Sequence, residues 1–330
     1  MRIYLVITLL FLNACINFPA QMEVRGNSQS NVTTTPISDN PPLKIYIPYV
    51  GQGDGSLLQL PNGKTLMIDA GPPAAGNDAL LPLLRTLNLS SLDALLVTHY
   101  DKDHLGGVPS LLAGEDGALG TDDDIQVGTD YDRGGEQWDK SPGRIPYMSA
   151  LDTLKIPRVV IEAGQTIDLD QEVSIKCIAV NGSVIDNAEN ILSVDLTPST
   201  YSGQENASSI ALLIEYKNFR YLTAGDLTGG GSPDGFLTPD IESLVADVVG
   251  KVDVLHVDHH GSMTSSNLHF VETTAPEAVF IQAGINNPYG HPVPEVVDRW
   301  KSVEAEIYST QGGQGYVLST DGEGFGIESL

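Results

Sequence analysis

The six residues His99-Tyr100-Asp101-Lys102-Asp103-His104 crowd two imidazoles and two carboxylates directly behind the apolar run Leu95-Leu96-Val97. In an ordinary loop such crowding is costly, because like charges repel and every polar group needs a partner. A divalent cation removes that cost. Imidazole nitrogens and carboxylate oxygens are natural ligands for zinc or manganese, and donors at alternate positions of an extended turn can converge on two ions. A solvated loop with incidental histidines is the competing reading. The chemistry expected of two ions is hydrolysis: they lower the pKa of a water and stabilise charge developing on substrate oxygens.

Such a knot needs rigid elements behind it. Apolar and β-branched runs between Gly, Pro and Asn punctuation predict strands at Lys44–Val50, Ser56–Leu60, Thr65–Asp69 and Ala94–Thr98. Helical spacing follows at Leu80–Leu87 and Leu105–Leu112. The second half repeats the habit, with strands at Val173–Ile178, Ser209–Glu215, Phe219–Ala224, Val252–Val257 and Ala278–Gln282, and helices near Ile241–Val249 and Glu295–Val303. No fixed-period repeat is present. Strands mixed with helices in both halves predict a layered α/β sandwich.

The N-terminus reads differently. Arg2, the apolar run Ile3–Leu12 and then Leu12-Asn13-Ala14-Cys15 follow the order of a bacterial signal peptide ending in a lipobox, the apolar run being too short for a permanent span. Residues 1–14 are therefore expected to be a signal peptide, Cys15 a lipidated mature N-terminus, and the protein a membrane-anchored extracytoplasmic lipoprotein, with plain secretion as the alternative. Residues 15–42, poor in large apolar side chains from residue 20, read as a flexible tether, and 43–330 as a single domain. Cys177, the other cysteine, has no expected disulfide partner.

The chain carries 17 basic and 43 acidic residues, a formal charge of −26. That balance excludes a protein that holds nucleic acid on a broad basic surface. Part of the acid is concentrated between Glu115 and Asp124. There Asp116, Asp122, Asp123 and Asp124 follow an Asp-Gly-x-x-Gly-Thr-x-Asp-Asp pattern that resembles calcium-stabilised loops of bacterial surface proteins, though not an EF-hand. The loop is either a calcium site or a solvated acidic turn, and with Tyr131–Pro146 it would form a mobile rim over the cleft.

Several further motifs occur in order: Val50-Gly51-Gln52-Gly53-Asp54, Met67-Ile68-Asp69-Ala70-Gly71, Leu222-Thr223-Ala224-Gly225-Asp226, His259-His260-Gly261-Ser262 and Asn287-Pro288-Tyr289-Gly290-His291-Pro292. Together with the His-x-Asp-x-Asp-His knot, over residues 44–320, they resemble the metallo-β-lactamase superfamily, and within it the extracytoplasmic metallo-β-lactamase-like domain of ComEC competence proteins. The resemblance implies a four-layer αββα sandwich with metal along one edge between the sheets.

It also implies His99 and Asp101 on one metal, Asp103 and His104 on the other, and Asp226 bridging. His260 is the favoured last ligand, with His259 as a partner ligand or substrate contact. Asp69 either orients a ligand or caps its own turn. Asp101 stands where the superfamily's hydrolases carry a second histidine, and no histidine lies between His104 and His256. The oxygen-rich set admits manganese beside zinc and argues against a β-lactam substrate.

Asp103 is the candidate to take the proton or hold the water, and His291 is either a donor to the leaving group or a turn residue. Asn206 and Ser208 are implied to lie near the cleft, or else punctuate a loop, while Gln52 and Asp54 support the site from behind. His256 is expected to face the core or the sheet surface, and His269 to be incidental. A phosphodiesterase or nuclease acting on extracellular nucleic acid or nucleotides is the function implied. Local cations such as Lys102, Arg133, Lys140 and Arg144 would then offset the acidic charge. The alternatives are hydrolysis of a small phosphoester, carboxyl ester or lactone, and a non-catalytic metal-binding lipoprotein. No protein partner is evident.

Overall fold

The computed structural model describes residues 41–135, 142–197, 201–231 and 237–330. Contacts divide the chain into Met1–Thr34 and Thr35–Leu330, and the described residues all belong to the second unit. The expected signal peptide, Cys15, most of the expected tether and Lys140 lie outside the described residues.

Among the described residues sixteen strands form two eight-stranded sheets. The first sheet contains β1 (Leu43–Ile47), β2 (Ser56–Gln59), β3 (Thr65–Ile68), β4 (Ser91–Val97), β5 (Gln126–Asp132), β6 (Arg158–Val160), β15 (Tyr316–Thr320) and β16 (Phe325–Ser329), in the order β16-β15-β1-β2-β3-β4-β5-β6. The second contains β7 (Val173–Val180), β8 (Ser183–Ile185), β9 (Ile191–Ser193), β10 (Ala211–Tyr216), β11 (Phe219–Thr223), β12 (Val254–His256), β13 (Ala278–Ile281) and β14 (Glu306–Ser309), in the order β14-β13-β12-β11-β10-β7-β8-β9.

Strand alternation builds the layers. In β4, Ala94 and Leu96 join the core between the sheets, where they meet Ile175, Leu212, Ile214 and Phe280 of the second sheet. Leu95 and Val97 face the other way. They pack on the outer helices α1 (Leu81–Thr86), α3 (Val108–Leu112) and α4 (Arg144–Leu154) through Leu84, Leu111 and Leu151. On the far side, α6 (Glu242–Val249), α7 (Leu268–Thr274) and α8 (Pro294–Ser302) cover the second sheet through Val245, Phe270 and Trp300. The result is the expected αββα sandwich. No helix is long and apolar enough to cross a membrane among the described residues.

β3-β4-β5-β6 and β11-β12-β13-β14 are parallel runs. Asp69, His99, Asp226, His259 and Gln282 all follow the carboxyl ends of such strands, the usual place for a ligand in a parallel sheet.

Two expectations need correction. The helix expected at Leu105–Leu112 is two short ones, α2 (Lys102–Leu105) and α3, parted at Gly106-Gly107, where a Cβ on Gly107 would lie 2.0 Å from the Ala70 carbonyl oxygen. Of Tyr131–Pro146, Tyr131 and Asp132 end β5 and Arg144 opens α4, while residues 136–141 lie outside the described residues. The strand expected from Ser209 is preceded by α5 (Tyr201–Ala207), which carries Asn206.

Candidate metal centre

Asp226 divides the site. Its Oδ2 lies 3.8 Å from His99 Nε2 and 3.6 Å from His259 Nε2. Its Oδ1 lies 3.0 Å from His104 Nε2 and 3.6 Å from His260 Nε2. Asp101 Oδ2 is 3.8 Å from His99 Nε2, and Asp103 Oδ2 is 3.5 Å from His260 Nε2. The two imidazoles of the His259-His260 pair diverge because both residues adopt left-handed backbone, φ 51° and 54°, in the tight turn after β12.

The rings are held from behind by their other nitrogens. Nδ1 of His99 meets Thr98 Oγ1 at 3.2 Å, that of His104 meets Asp69 Oδ2 at 2.8 Å, that of His259 meets Thr264 Oγ1 at 2.9 Å, and that of His260 meets the Gln282 carbonyl at 3.0 Å. Nε2 of His99, His104 and His260 and Oδ1 of Asp226 are buried without a well-formed hydrogen bond. The His104 and His260 nitrogens converge on Oδ1, and that of His99 lies on the Oδ2 side. Buried polar atoms left unsatisfied are costly in a protein interior unless a cation satisfies them. Asp54, His104, Asp226 and His260 each offer a ligand atom within 4.8 Å of all the others. The buried cluster is compatible with divalent metal.

Electrostatics agrees with that arrangement. Burial alone would raise the Asp226 carboxyl, but the charges of His104, His259 and His260 hold it well below the usual range. Burial works against charge on His104 and His260, yet Asp226 with Asp69 or Asp54 raises both well above an ordinary histidine. His99 falls to about 3 through burial and the neighbouring His104. For Asp103, burial is outweighed by the nearby His260 and the His104 charge, leaving it at about 2. Asp101 rises to about 7 through burial and then the charges of Glu205, Asp103 and Asp226. Asp101 and Asp103, with side chains 40% and 31% exposed, mark the mouth.

Around this centre the remaining candidates take distinct places. Asp69 accepts from the Thr98 amide and hydroxyl, at 2.8 and 2.7 Å, as well as facing His104, so it both closes its turn and orients a ring. Asp54 Oδ1 lies 3.0 Å from His260 Nδ1, and its Oδ2 3.7 Å from the buried His256. Gln52 accepts the Gly284 amide and so supports the loop leading to His291, whose ring centroid is 5.5 Å from that of His259. Burial and then the charge of His259 lower His291 to about 4, so it faces the site as a neutral ring. Asn206 Nδ2 reaches His259 Nε2 at 3.2 Å. Ser208 does not join the site, because its hydroxyl donates to the Gln204 carbonyl one turn back. His269 pairs with Asp247 on the surface, away from the cluster.

Two expectations about charge change. Arg133 is fully buried, forms a bidentate pair with Glu205 at 3.0 and 2.6 Å, and stacks its guanidinium 4.2 Å from the Tyr100 ring centroid. It is thus structural rather than a surface cation. Glu205 also accepts the Tyr100 amide at 2.7 Å, so this pair ties α5 to the first motif. No local pattern points to it beyond the adjacency of Glu205 and Asn206. The acidic loop closes on itself: Asp123 accepts the Glu115 and Asp116 amides, Asp124 those of Gly120 and Thr121, and Asp116 that of Ala118. Its carboxylates do not join any metal-sized cluster among the described residues.

Residues 48–172 match the model of the metallo-beta-lactamase superfamily. The chain is 25% identical over 273 residues to ComE operon protein 3 of Bacillus subtilis, covering 75% of this chain and 29% of that protein. It is 26% identical over 263 residues to Competence protein ComA of Neisseria gonorrhoeae, covering 79% and 30%. A 52-residue stretch, 16% of the chain, is 44% identical to Endoribonuclease ysh-1 of Neurospora crassa, 6% of that protein. The chain spans less than a third of the length of the competence relatives. It carries a metallo-β-lactamase domain similar to that of the ComEC group.

Proposed function

We propose that this chain is a metal-dependent phosphodiesterase or nuclease acting outside the cytoplasm. The observation that carries the metal reading is the set of buried, unbonded Nε2 atoms on His99, His104 and His260, each ring fixed through Nδ1. The endoribonuclease likeness over 52 residues supports a phosphodiester substrate.

In this reading His99, Asp101 and His259 face one oxygen of Asp226, while Asp103, His104 and His260 face the other. His259 takes the place left by the absent mid-chain histidine. Zinc or manganese held by these groups would acidify water and stabilise charge on substrate oxygens. Asp103, strongly ionised, orients the attacking water rather than acting as a free base. Neutral His291 and Asn206, on the open side beside His259, hydrogen-bond the substrate or its leaving group.

Turnover of bis-p-nitrophenyl phosphate, p-nitrophenyl carboxyl esters, a lactone and single- and double-stranded DNA, each with zinc and then manganese, tests this reading. Diester and DNA hydrolysis that a chelator abolishes is expected. The charge of −26 favours a second reading, a small ester or lactone as substrate, and turnover of those compounds alone would establish it. Anchoring through Cys15 rests on the Leu12-Asn13-Ala14-Cys15 order. Cys15→Ala should release the protein from membranes, and retention of the variant there would refute the anchor.

A further inference from the structure

The loop between β13 and α8 leaves Ile285 and Tyr289 exposed, at 50% and 67%. The Tyr289 ring centroid lies 5.8 Å from that of His291, which in turn lies 5.5 Å from that of His259. An aromatic ring therefore stands at the mouth, one ring beyond a side chain that already faces the ligand cluster.

The loop is pinned at several points. Asn287 Nδ2 donates to the carbonyls of Gly284 and His291, and its Oδ1 accepts the His291 amide at 3.0 Å. Gln311 Nε2 donates to the same His291 carbonyl at 3.2 Å. The Gly284 amide donates to Gln52 Oε1 and the Ile285 amide to the Tyr49 hydroxyl. None of these bonds uses Tyr289, whose hydroxyl makes no hydrogen bond among the described residues. Fixing an apolar ring in water on a braced loop gains the fold little, whereas a ring ordered in advance lowers the entropy cost of binding a flat ligand.

The surrounding charge points to the same kind of contact. Arg133, the cation nearest the first motif's aromatic ring, is taken up by Glu205, and the chain as a whole is strongly acidic. Such a protein gains affinity for a phosphodiester more readily from a neutral stacking contact than from a basic groove.

We propose that Tyr289 is the stacking platform for the nucleobase adjoining the scissile phosphate, which makes the substrate class a nucleotide or single-stranded nucleic acid. This rests on the phosphodiesterase reading for its substrate but is tested by binding alone. Calorimetry on the zinc-loaded full chain would compare thymidine 5′-monophosphate with deoxyribose 5-phosphate, which has the same phosphate and sugar and no base. The nucleotide should bind about tenfold more tightly, Tyr289→Phe should keep that ratio, and Tyr289→Ala should bring it close to one. Equal affinities in the parent chain, an unchanged ratio in Tyr289→Ala, or equal weakening of both ligands would each overturn the proposal. Failure of the phosphodiesterase reading looks different: the base-dependent ratio would persist while no diester is hydrolysed.

Discussion

Asp226 is the residue on which the site turns, because each of its oxygens faces a different pair of imidazoles. Asp226→Asn keeps the shape and removes the charge that would balance two cations. Turnover of bis-p-nitrophenyl phosphate should fall at least roughly a hundredfold, with metal content by elemental analysis falling in parallel. Near-normal values for both would mean that the turn is only structural. His259 and His260, though adjacent, stand on opposite sides of that carboxylate, so His259→Ala should lose one ion of two and retain the other. A variant that keeps both ions would place His259 among substrate contacts instead. The histidine pair was legible in the sequence as a ligand source. Its division between two sides was not, because that depends on two consecutive left-handed residues that no spacing rule anticipates.

Among the elements, the turn after β11 is tightly constrained. Gly225 has φ +54°, and a Cβ there would lie 2.5 Å from Thr98 Oγ1, the hydroxyl that contacts both Asp69 and His99. Gly225→Ala should therefore cost about 1–3 kcal/mol of stability and disturb both sides of the centre. A urea midpoint together with zinc calorimetry checks this, and an unchanged zinc affinity would show that the turn yields without moving the ligands.

At the end of β5, Asp130 is held well above the usual carboxylate range by burial, which outweighs the hydrogen bond from Tyr147. The folded chain keeps that proton where the unfolded chain has lost it, so its contribution to stability is present below about pH 4 and falls as pH rises. Relative to the parent, Asp130→Asn should therefore gain melting temperature between about pH 4 and pH 8. A pH-independent difference would mean that Asp130 ionises normally in the fold.

For the molecule as a whole, the formal charge of −26 opposes a polyanionic substrate. Raising ionic strength from about 0.01 to 0.15 M shortens the screening length from about 30 to 8 Å, which should raise kcat/KM for single-stranded DNA severalfold. A small monoanionic diester should respond much less. This is the reverse of a protein that binds nucleic acid through released counterions, and a fall in DNA turnover with salt would reveal a basic path to the site.

The sequence by itself determined the layered architecture, since strand and helix periodicities are local and the apolar alternation of a strand such as β4 requires a core on each face. It also supplied the ligand residue types, because a knot such as His99 to His104 is too crowded with polar groups to be stable without a charge partner. Tertiary structure alone decided which nitrogen of each ring is held from behind, and that His259 and His260 stand on opposite sides of Asp226. It likewise paired Arg133 with Glu205, 72 residues apart, and turned the Ser208 hydroxyl back onto the helix before it. These outcomes depend on the angle at which the carboxyl ends of two separate parallel runs meet, a quantity set by the packing of the two sheets and written in no local stretch of chain.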